Sequence, residues 1–261
     1  MSGSKVAMSD DFLNLEYRRV IKKITAFISD QVRSRKKNGL VVGLSGGLDS
    51  SACVVLAARA VENNKIIGLI MPEKGLTPKT DIQNARALVK KLKIRYEEID
   101  IARGKKILLK RSPKDKLSGG NFSARLRMAL LYHYAAINNL LVLGTADKSE
   151  LMIGYFTKFG DAGADIFPIG KLYKSQVKVL GKELQLPEQI VQQPSSPRFW
   201  KGQLAEKEIG LSYLEIDRFL ESYLKNDLNN CELSKRKIKL VTEMVNNSQH
   251  KKEKIPICNP F

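Results

Sequence analysis

The chain has 261 residues, enough for one large domain or two small ones with a substantial core. Its 45 lysines and arginines outnumber 27 acidic residues, for a formal charge of +18, and its 43% hydrophobic content excludes a largely disordered chain. Three widely spaced cysteines form neither a disulfide framework nor a CxxC metal pair. No apolar run is long enough to cross a bilayer and no secretory segment is visible, so we expect a cytoplasmic protein without a membrane partner.

The positive charge leaves three interpretations open. It is compatible with a nucleic-acid partner, with polyanionic small substrates, or with a solvated lysine-rich surface. The basic residues are spread from Lys5 to Lys254, and glycine-rich basic runs with interleaved aromatic residues are absent. Nucleic-acid binding is therefore the least favoured of the three.

Hydrophobic patterning predicts helices alternating with strands. Apolar residues at helical spacing predict a helix within 10–37, and short valine- and isoleucine-rich runs predict strands buried on both faces of a parallel sheet. The predicted strands of this kind are 40–44, 65–71 and 140–144, and a further strand is predicted over 95–99. The predicted helices that follow are 52–61, 80–92 and 123–137, with others near 174–184, 212–225 and 234–247.

This order of elements predicts an α/β fold: a doubly wound, mainly parallel sheet with helices on both faces and a helical C-terminal part. No repeat or low-complexity linker interrupts the chain, so we expect a single domain over 1–261. Ligands of such sheets bind at the carboxyl ends of the strands.

One segment directly after the first predicted strand is suited to phosphate. It reads Gly43-Leu44-Ser45-Gly46-Gly47-Leu48-Asp49-Ser50 and opens a helix. Its glycines let a phosphate approach the backbone, and its N–H groups and the helix N-terminus favour an anion. Asp49 would repel phosphate, so it suits a bridging Mg²⁺. The segment lacks the Walker lysine and the GxGxxG pattern, and the simpler alternative is a tight turn capped by Asp49 or Ser50.

The Ser-Gly-Gly-x-Asp-Ser core of this loop resembles that of the PP-loop ATP pyrophosphatases, which cleave ATP between the α- and β-phosphates and transfer AMP to a substrate oxygen. Other segments resemble elements of one group among them, the NAD synthetases, and this resemblance extends from about Leu13 to Pro260. The matching segments are 119–128 (GGNFSARLRM), 144–150 (GTADKSE), 154–161 (GYFTKFGD), 168–177, 200–203, 208–211 and the pair His250-Lys251.

The resemblance implies a ligase with a two-step reaction. The nicotinate carboxylate of deamido-NAD attacks the α-phosphorus of ATP and releases pyrophosphate, and ammonia then displaces AMP to give NAD, the last step of NAD biosynthesis. It also implies Mg²⁺ and a homodimer. Glutamine-dependent NAD synthetases carry an additional N-terminal glutaminase domain, and the roughly forty residues before the first predicted strand are too few to form one. Free ammonia is therefore the expected nitrogen source, unless a separate amidase subunit exists. The first helix and the long helix from Ser123 are the candidate interface elements.

The resemblance also implies roles for individual residues, none of them a covalent nucleophile. The implied ATP contacts are the loop Gly43 to Ser50, Thr145, Lys174 and Ser196. The implied deamido-NAD contacts are Arg125, Lys158, Asp165, His250 and Lys251. The implied Mg²⁺ ligands are Asp49 and Glu150.

The chain departs from the family pattern at a few positions. Asp147 stands where asparagine is usual, and Ser195 and Arg198 replace a proline and a small residue. The run 203–206 replaces the usual GQTDE continuation. The last three changes lie in the segment that covers the active site in the family.

Two other functions stay open at the level of sequence. A PP-loop enzyme acting on tRNA would explain the charge, but such enzymes usually carry CxxC pairs or a persulfide cysteine, and this chain has no CxxC. A non-catalytic nucleotide-binding module of the same fold would bind ATP without releasing pyrophosphate.

Overall fold

The computed structural model describes residues 10–228 and 231–260, and these contain four strands and twelve α-helices. The strands are β1 (Gly39–Gly43), β2 (Ile66–Ile70), β3 (Arg95–Glu98) and β4 (Leu140–Leu143). The helices are α1 (Tyr17–Ser34), α2 (Leu48–Ala60), α3 (Lys79–Leu92), α4 (Ala102–Leu108), α5 (Lys116–Asn138), α6 (Lys148–Ile153), α7 (Lys174–Glu183), α8 (Glu188–Val191), α9 (Ala205–Ile209), α10 (Tyr213–Leu224), α11 (Lys235–Asn247) and α12 (Gln249–Lys252).

The four strands form one parallel sheet in the order β3-β2-β1-β4. Val41 at the centre of β1 pairs with Ile67 of β2 on one side and Val142 of β4 on the other. The crossovers through α2 and α3 build the sheet outward from β1, and the chain then returns to place β4 on the opposite side of β1. The strand order therefore reverses between β1 and β4, where doubly wound sheets bind ligands.

Helices cover both faces of the sheet, which confirms the predicted doubly wound α/β fold. Alternate residues of β1 enter different cores: Leu40 and Val42 pack with α1, α2, α3 and α7, whereas Val41 packs with α5 on the other face. The continuous apolar strands follow from this arrangement, because a strand buried on both faces has no solvent-facing position for a polar side chain.

The C-terminal part is helical, as predicted, and has its own apolar cluster. Helices α6, α9, α10 and α11 contribute to it, with Ile216, Phe219 and Val241 fully buried at its centre. Arg218 of α10 makes a two-pronged ion pair with Asp10, at 2.8 Å for each nitrogen–oxygen pair, and so ties this part to the start of the described chain. Within 10–228 and 231–260, none of the helices has the length and apolar content needed to span a bilayer.

Three helix starts differ from those predicted, and one of them is that of α2, which begins at Leu48 rather than at 52. The first predicted helix begins as a short 3₁₀ turn, Asp10–Leu13, before α1 starts at Tyr17. Helix α5 starts at Lys116 rather than Ser123, because Asp115 caps it by accepting a hydrogen bond from the Ser118 N–H at 2.6 Å. The Gly-Gly pair at 119–120, which suggests a loop in sequence, lies inside α5.

We expect Gly39→Ala to destabilise the protein, because a Cβ at this position would lie only 1.9 Å from the carbonyl oxygen of Lys65. Separating β1 from that neighbour should lower the free energy of unfolding by about 1–3 kcal/mol, measured by guanidinium denaturation.

Gly104→Ala is the matched control. Gly104 lies inside α4, and its added Cβ would have no atom within 4 Å. Alanine in this open helical position should raise the free energy of unfolding by about 0.5–1 kcal/mol. Equal stability of the two variants would contradict the close approach at Gly39.

Candidate active site

A cavity of about 300 Å³ opens at the carboxyl ends of β1, β2 and β4, at the point where the strand order reverses. Almost all of the residues expected to contact ATP or Mg²⁺ line it. They are Gly43, Leu44, Ser45, Gly47, Leu48, Asp49, Ser50, Thr145, Glu150, Lys174 and Ser196. Gly46 belongs to the same loop. The topology therefore brings together at one edge of the sheet residues that are up to about 150 positions apart in the chain.

The loop between β1 and α2 has the conformation that its glycines predict. Gly46 has a left-handed φ of 79°, and a Cβ there would lie 1.9 Å from the carbonyl oxygen of Asp81, so only glycine fits. Ser45 accepts a hydrogen bond from the Gly47 N–H at 3.2 Å, and its hydroxyl lies 3.0 Å from that of Ser50. The loop is thus braced internally by its own hydroxyl groups.

The first turn of α2 faces the cavity without a side-chain cap. Its N-cap residue is Gly47, which makes no capping hydrogen bond, so neither Asp49 nor Ser50 caps the helix. The uncapped N–H groups and the positive end of the helix dipole both favour an anion such as a phosphate group.

Next to this loop, three carboxylates surround one ammonium group. The Nζ of Lys174 lies 2.7 Å from Asp49, 2.8 Å from Asp147 and 2.8 Å from Glu150. The lysine and all three acids are mostly buried, and Asp147 is fully so. With every group ionised, the four side chains carry a net charge of −2, which a bound divalent cation would balance.

Burial and the attraction between opposite charges have opposing effects on the pKa values of this cluster. Burial raises the pKa of Asp147 to about 6 against the attraction of Lys174, and burial likewise raises the pKa of Glu150 well above its ordinary value. Burial alone would lower the pKa of Lys174, but the carboxylates of Asp147, Asp49 and Glu150 outweigh it and raise that pKa well above normal. The lysine therefore stays charged.

The donor set fits a magnesium ion that is shared with phosphate oxygens. The Oδ1 atom of Asp49 is buried and has no hydrogen-bond donor among the described residues. Within the same part of the chain, no three His, Cys, Asp or Glu side chains are arranged as a closed protein metal site. Mg²⁺ is usually held by one or two carboxylates together with water and substrate phosphate, and Asp49 and Glu150 match that pattern.

Four of the five residues expected to contact deamido-NAD form a second group, which does not line this cavity. The guanidinium of Arg125 donates to the carbonyl of Lys158 at 3.2 and 3.3 Å, and the ammonium of Lys158 donates to the carbonyl of His250 at 2.5 Å. Lys251 donates to two carbonyls of the segment after α6, at 2.8 and 3.0 Å. The GYFTK segment, α5 and α12 thus meet at one basic patch.

The fifth of these residues, Asp165, lies apart from that patch and supports β4. One of its carboxylate oxygens accepts the Val142 N–H at 2.7 Å, and the other accepts the Tyr132 hydroxyl at 3.3 Å. Its carboxylate therefore positions the end of a strand that leads into the cavity.

The sequence prediction missed several residues of the site. Arg127, two positions after Arg125, lines the cavity and donates to the Met71 carbonyl at 3.0 Å, and burial lowers its pKa. Asp81, Gln193 and Arg198 also line it. The second arginine of the ARLRM segment was a visible signal for Arg127, and the departures at 147 and 198 were the only signals for Asp147 and Arg198.

Fold and site together define a class: a doubly wound α/β protein whose glycine- and serine-rich loop and acidic cluster meet at the switch point of the sheet. Comparison with known sequences makes this more specific. The profile of the NAD synthase family matches residues 20–255, and the chain belongs to this family of ligases.

Individual relatives agree over nearly the whole length. The NH(3)-dependent NAD(+) synthetase of Hyperthermus butylicus is 42% identical over 260 residues, which is 96% of this chain and 94% of that one. The solved NMN synthetase of Francisella tularensis matches with a TM-score of 0.86 at 34% identity, over 95% of this chain and all of that one. The NH3-dependent NAD synthetase of Campylobacter jejuni matches with a TM-score of 0.82 at 31% identity, over 94% and 100%.

We expect Asp147→Asn to change how stability depends on pH in buffer free of divalent cations. The pKa of Asp147 is about 6 in the folded protein against an ordinary 3.8, so the folded state holds the proton more tightly. The stabilisation that this tighter proton binding gives the folded state is complete below pH 3.8 and is lost as the pH rises through 6. The free energy of unfolding of the variant, relative to the parent, should therefore rise by up to about 3 kcal/mol between about pH 4 and 7.

Guanidinium denaturation at both pH values measures this difference. Glu150 is retained in both proteins, but the charge of Asp147 contributes to its raised pKa, so removing that charge changes the stability difference in the same direction. Asp30→Asn, which changes an exposed carboxylate on α1, is the control and should show no such trend. A stability difference between Asp147→Asn and the parent that is the same at both pH values would contradict the assignment.

Proposed function

We propose that this chain is an ammonia-dependent NAD synthetase. It joins AMP from ATP to the nicotinate carboxylate of deamido-NAD and then exchanges AMP for ammonia, with NAD, AMP and pyrophosphate as products. The proposal is carried by one observation: the loop Gly43 to Ser50, here called the phosphate loop, meets Glu150 and Lys174 in one cavity of a NAD synthase family member. Asp49 belongs to this loop. Free ammonia is the proposed nitrogen donor, in line with the names of the relatives.

The chemistry explains why the site has charges rather than a nucleophile. A carboxylate resists attack by ammonia until one of its oxygens carries a good leaving group. Its oxygen forms a bond to the α-phosphorus as the bond from that phosphorus to the β-phosphate oxygen breaks, and pyrophosphate leaves. The enzyme must align two polyanions and stabilise the departing pyrophosphate, which needs positive charge and oriented N–H groups.

The residues of the cavity supply both. The uncapped N–H groups of α2 and the loop hydroxyls would hold the departing phosphates, and the ammonium of Lys174 would balance their charge. Asp49 and Glu150 would hold Mg²⁺, which neutralises phosphate charge when it is bound. Thr145 at the end of β4 and Ser196 opposite it would contact the nucleotide.

Deamido-NAD would bind at the basic patch of Arg125, Lys158, His250 and Lys251, with Asp165 shaping the adjacent end of β4. A homodimer is proposed on the exposed faces of α1 and α5. Phe27, Tyr132 and Ile137 leave 40%, 36% and 69% of their surfaces uncovered there, which a second copy would bury. The proposed compartment is the cytoplasm.

A second substrate is supported by one comparison. The similarity to the Francisella tularensis NMN synthetase, with a TM-score of 0.86, favours nicotinate mononucleotide as an alternative acceptor of AMP. The chemistry is the same, because both substrates present a nicotinate carboxylate.

One assay separates these possibilities. The protein is incubated with ATP, Mg²⁺ and ammonium, together with deamido-NAD, nicotinate mononucleotide or tRNA, and AMP, pyrophosphate and amide products are measured. We expect NAD from deamido-NAD, in proportion to the AMP formed. Turnover with only the mononucleotide or only tRNA would replace the proposal, and ATP binding without AMP release would indicate a non-catalytic module.

Asp49→Asn and Glu150→Gln should each lower kcat about 100-fold or more, because each removes a charge that would hold the metal ion beside the departing pyrophosphate. The apparent Mg²⁺ requirement should rise at the same time. Far-UV circular dichroism should stay unchanged. Normal turnover in both variants would rule out the metal assignment, and the exposed Asp30→Asn again provides the control.

A further inference from the structure

Residues 193–203, here called the cover segment, include one wall of the cavity. Seven consecutive residues of the segment, 193–199, line it. Its turn is held by the side chain of Gln203, which accepts the Phe199 N–H at 2.8 Å, and by the Ser196 hydroxyl, which donates to the Gln203 carbonyl at 2.6 Å. The ring of Phe199 packs against Gly120 of α5, where a Cβ would lie 2.1 Å from it.

Arg198 is the unusual residue of the cover segment. Its φ of 56° is left-handed, a conformation that glycine adopts freely and that costs energy for an arginine. Its side chain compensates: Nε and Nη2 approach the two carboxylate oxygens of Asp81 at 3.0 and 3.4 Å. An arginine here is therefore stable because it has this partner.

Asp81 links the cover segment to the phosphate loop. It lies in the first turn of α3, is only 3% exposed, and also accepts the Gln193 side-chain N–H at 2.8 Å. Two points of the cover segment are thus attached to the same carboxylate. The backbone carbonyl of Asp81 is the group that abuts Gly46, so the anchor is in direct contact with the floor of the cavity.

We propose that Arg198 is a positioning residue that keeps the cover segment closed over the acyl adenylate by its ion pair with Asp81. This rests on the proposed function. Two nucleophiles compete for the acyl carbon of that intermediate. Ammonia forms the C–N bond and expels AMP, giving the amide. Water forms a C–O bond and expels AMP as well, which returns the original carboxylate and wastes one ATP.

The closed cover segment favours the first outcome because it limits the entry of bulk water while the intermediate waits for ammonia. The ion pair between Arg198 and Asp81 would hold the segment closed without itself taking part in the reaction. Its effect should therefore be visible in the ratio of AMP to amide formed, and not only in the rate.

The test compares Arg198→Gly with the parent protein. Glycine fits the left-handed backbone, so the variant removes the ion pair without adding strain. In the parent, AMP and NAD should form in a ratio near one, and in Arg198→Gly the ratio should rise to about two or more. Without substrates, trypsin should cleave the exposed Lys201–Gly202 bond about tenfold faster in the variant, as followed by mass spectrometry.

Two further variants separate closure from stability. Arg198→Gly leaves the buried carboxylate of Asp81 without its ion-pair partner, so the double variant Asp81→Asn/Arg198→Gly removes that charge and should still show the raised ratio. Arg198→Lys keeps the charge but loses the forked contact, and its ratio and cleavage rate should lie between those of the parent and glycine proteins.

Parent-like ratio and cleavage rate in a folded Arg198→Gly would overturn the proposal. A raised ratio in the single variant that returns to one in the double variant would overturn it as well, because the effect would then come from the unpaired carboxylate. If the parent makes no amide from either nicotinate substrate, the proposed function fails. The trypsin experiment still decides whether Arg198 closes the segment.

Discussion

The ammonium of Lys174 is the contact on which the organisation of the site depends. It joins α2, α6 and α7 through Asp49, Asp147 and Glu150. The backbone N–H of Lys174 also donates a hydrogen bond to the Ser149 hydroxyl at 2.9 Å. Loss of this lysine would leave three mostly buried carboxylates facing one another, and breaking even one buried ion pair typically costs about 3–5 kcal/mol. The helices that carry the proposed site residues are thus held in place by the charges of those same residues.

This arrangement links electrostatics to substrate binding. Full ionisation would give this buried cluster a net charge of −2, and the raised pKa values of Asp147 and Glu150 reflect that cost. Full ionisation would become favourable when a divalent cation and its phosphates bind. The neighbouring α2 N-terminus would supply the complementary positive end for the phosphates. Under the proposed function, the acidic cluster and the open helix terminus would bind the two halves of one ligand, a metal–nucleotide complex. Asp147, an aspartate where asparagine is usual, strengthens the acidic half in this chain.

Much of the fold was predictable, and the reason is physical. Three of the four strands, β1, β2 and β4, are buried on both faces, so each is a short continuous apolar run. The edge strand β3 is polar and partly exposed. Helix α5 shows where local pattern fails. Its first turns contain Gly119-Gly120, which suggest a loop, but the ring of Phe199, some eighty positions away, occupies the space that a side chain at 120 would need. A close contact between distant residues leaves no periodic trace in either segment.

The sequence by itself determined the α/β class and the glycine- and serine-rich loop Gly43 to Ser50, because these depend on local pattern and on a short motif whose spacing is set within one strand–turn–helix unit. It named only about a third of the residues that line the cavity. Tertiary structure alone decided which charges meet. The sequence shows Asp147 and Arg198 only as departures from a family pattern, whereas the structure places one beside Lys174 and the other beside Asp81. Ion pairs form between side chains that packing brings within a few ångströms, and that distance is a property of the whole fold.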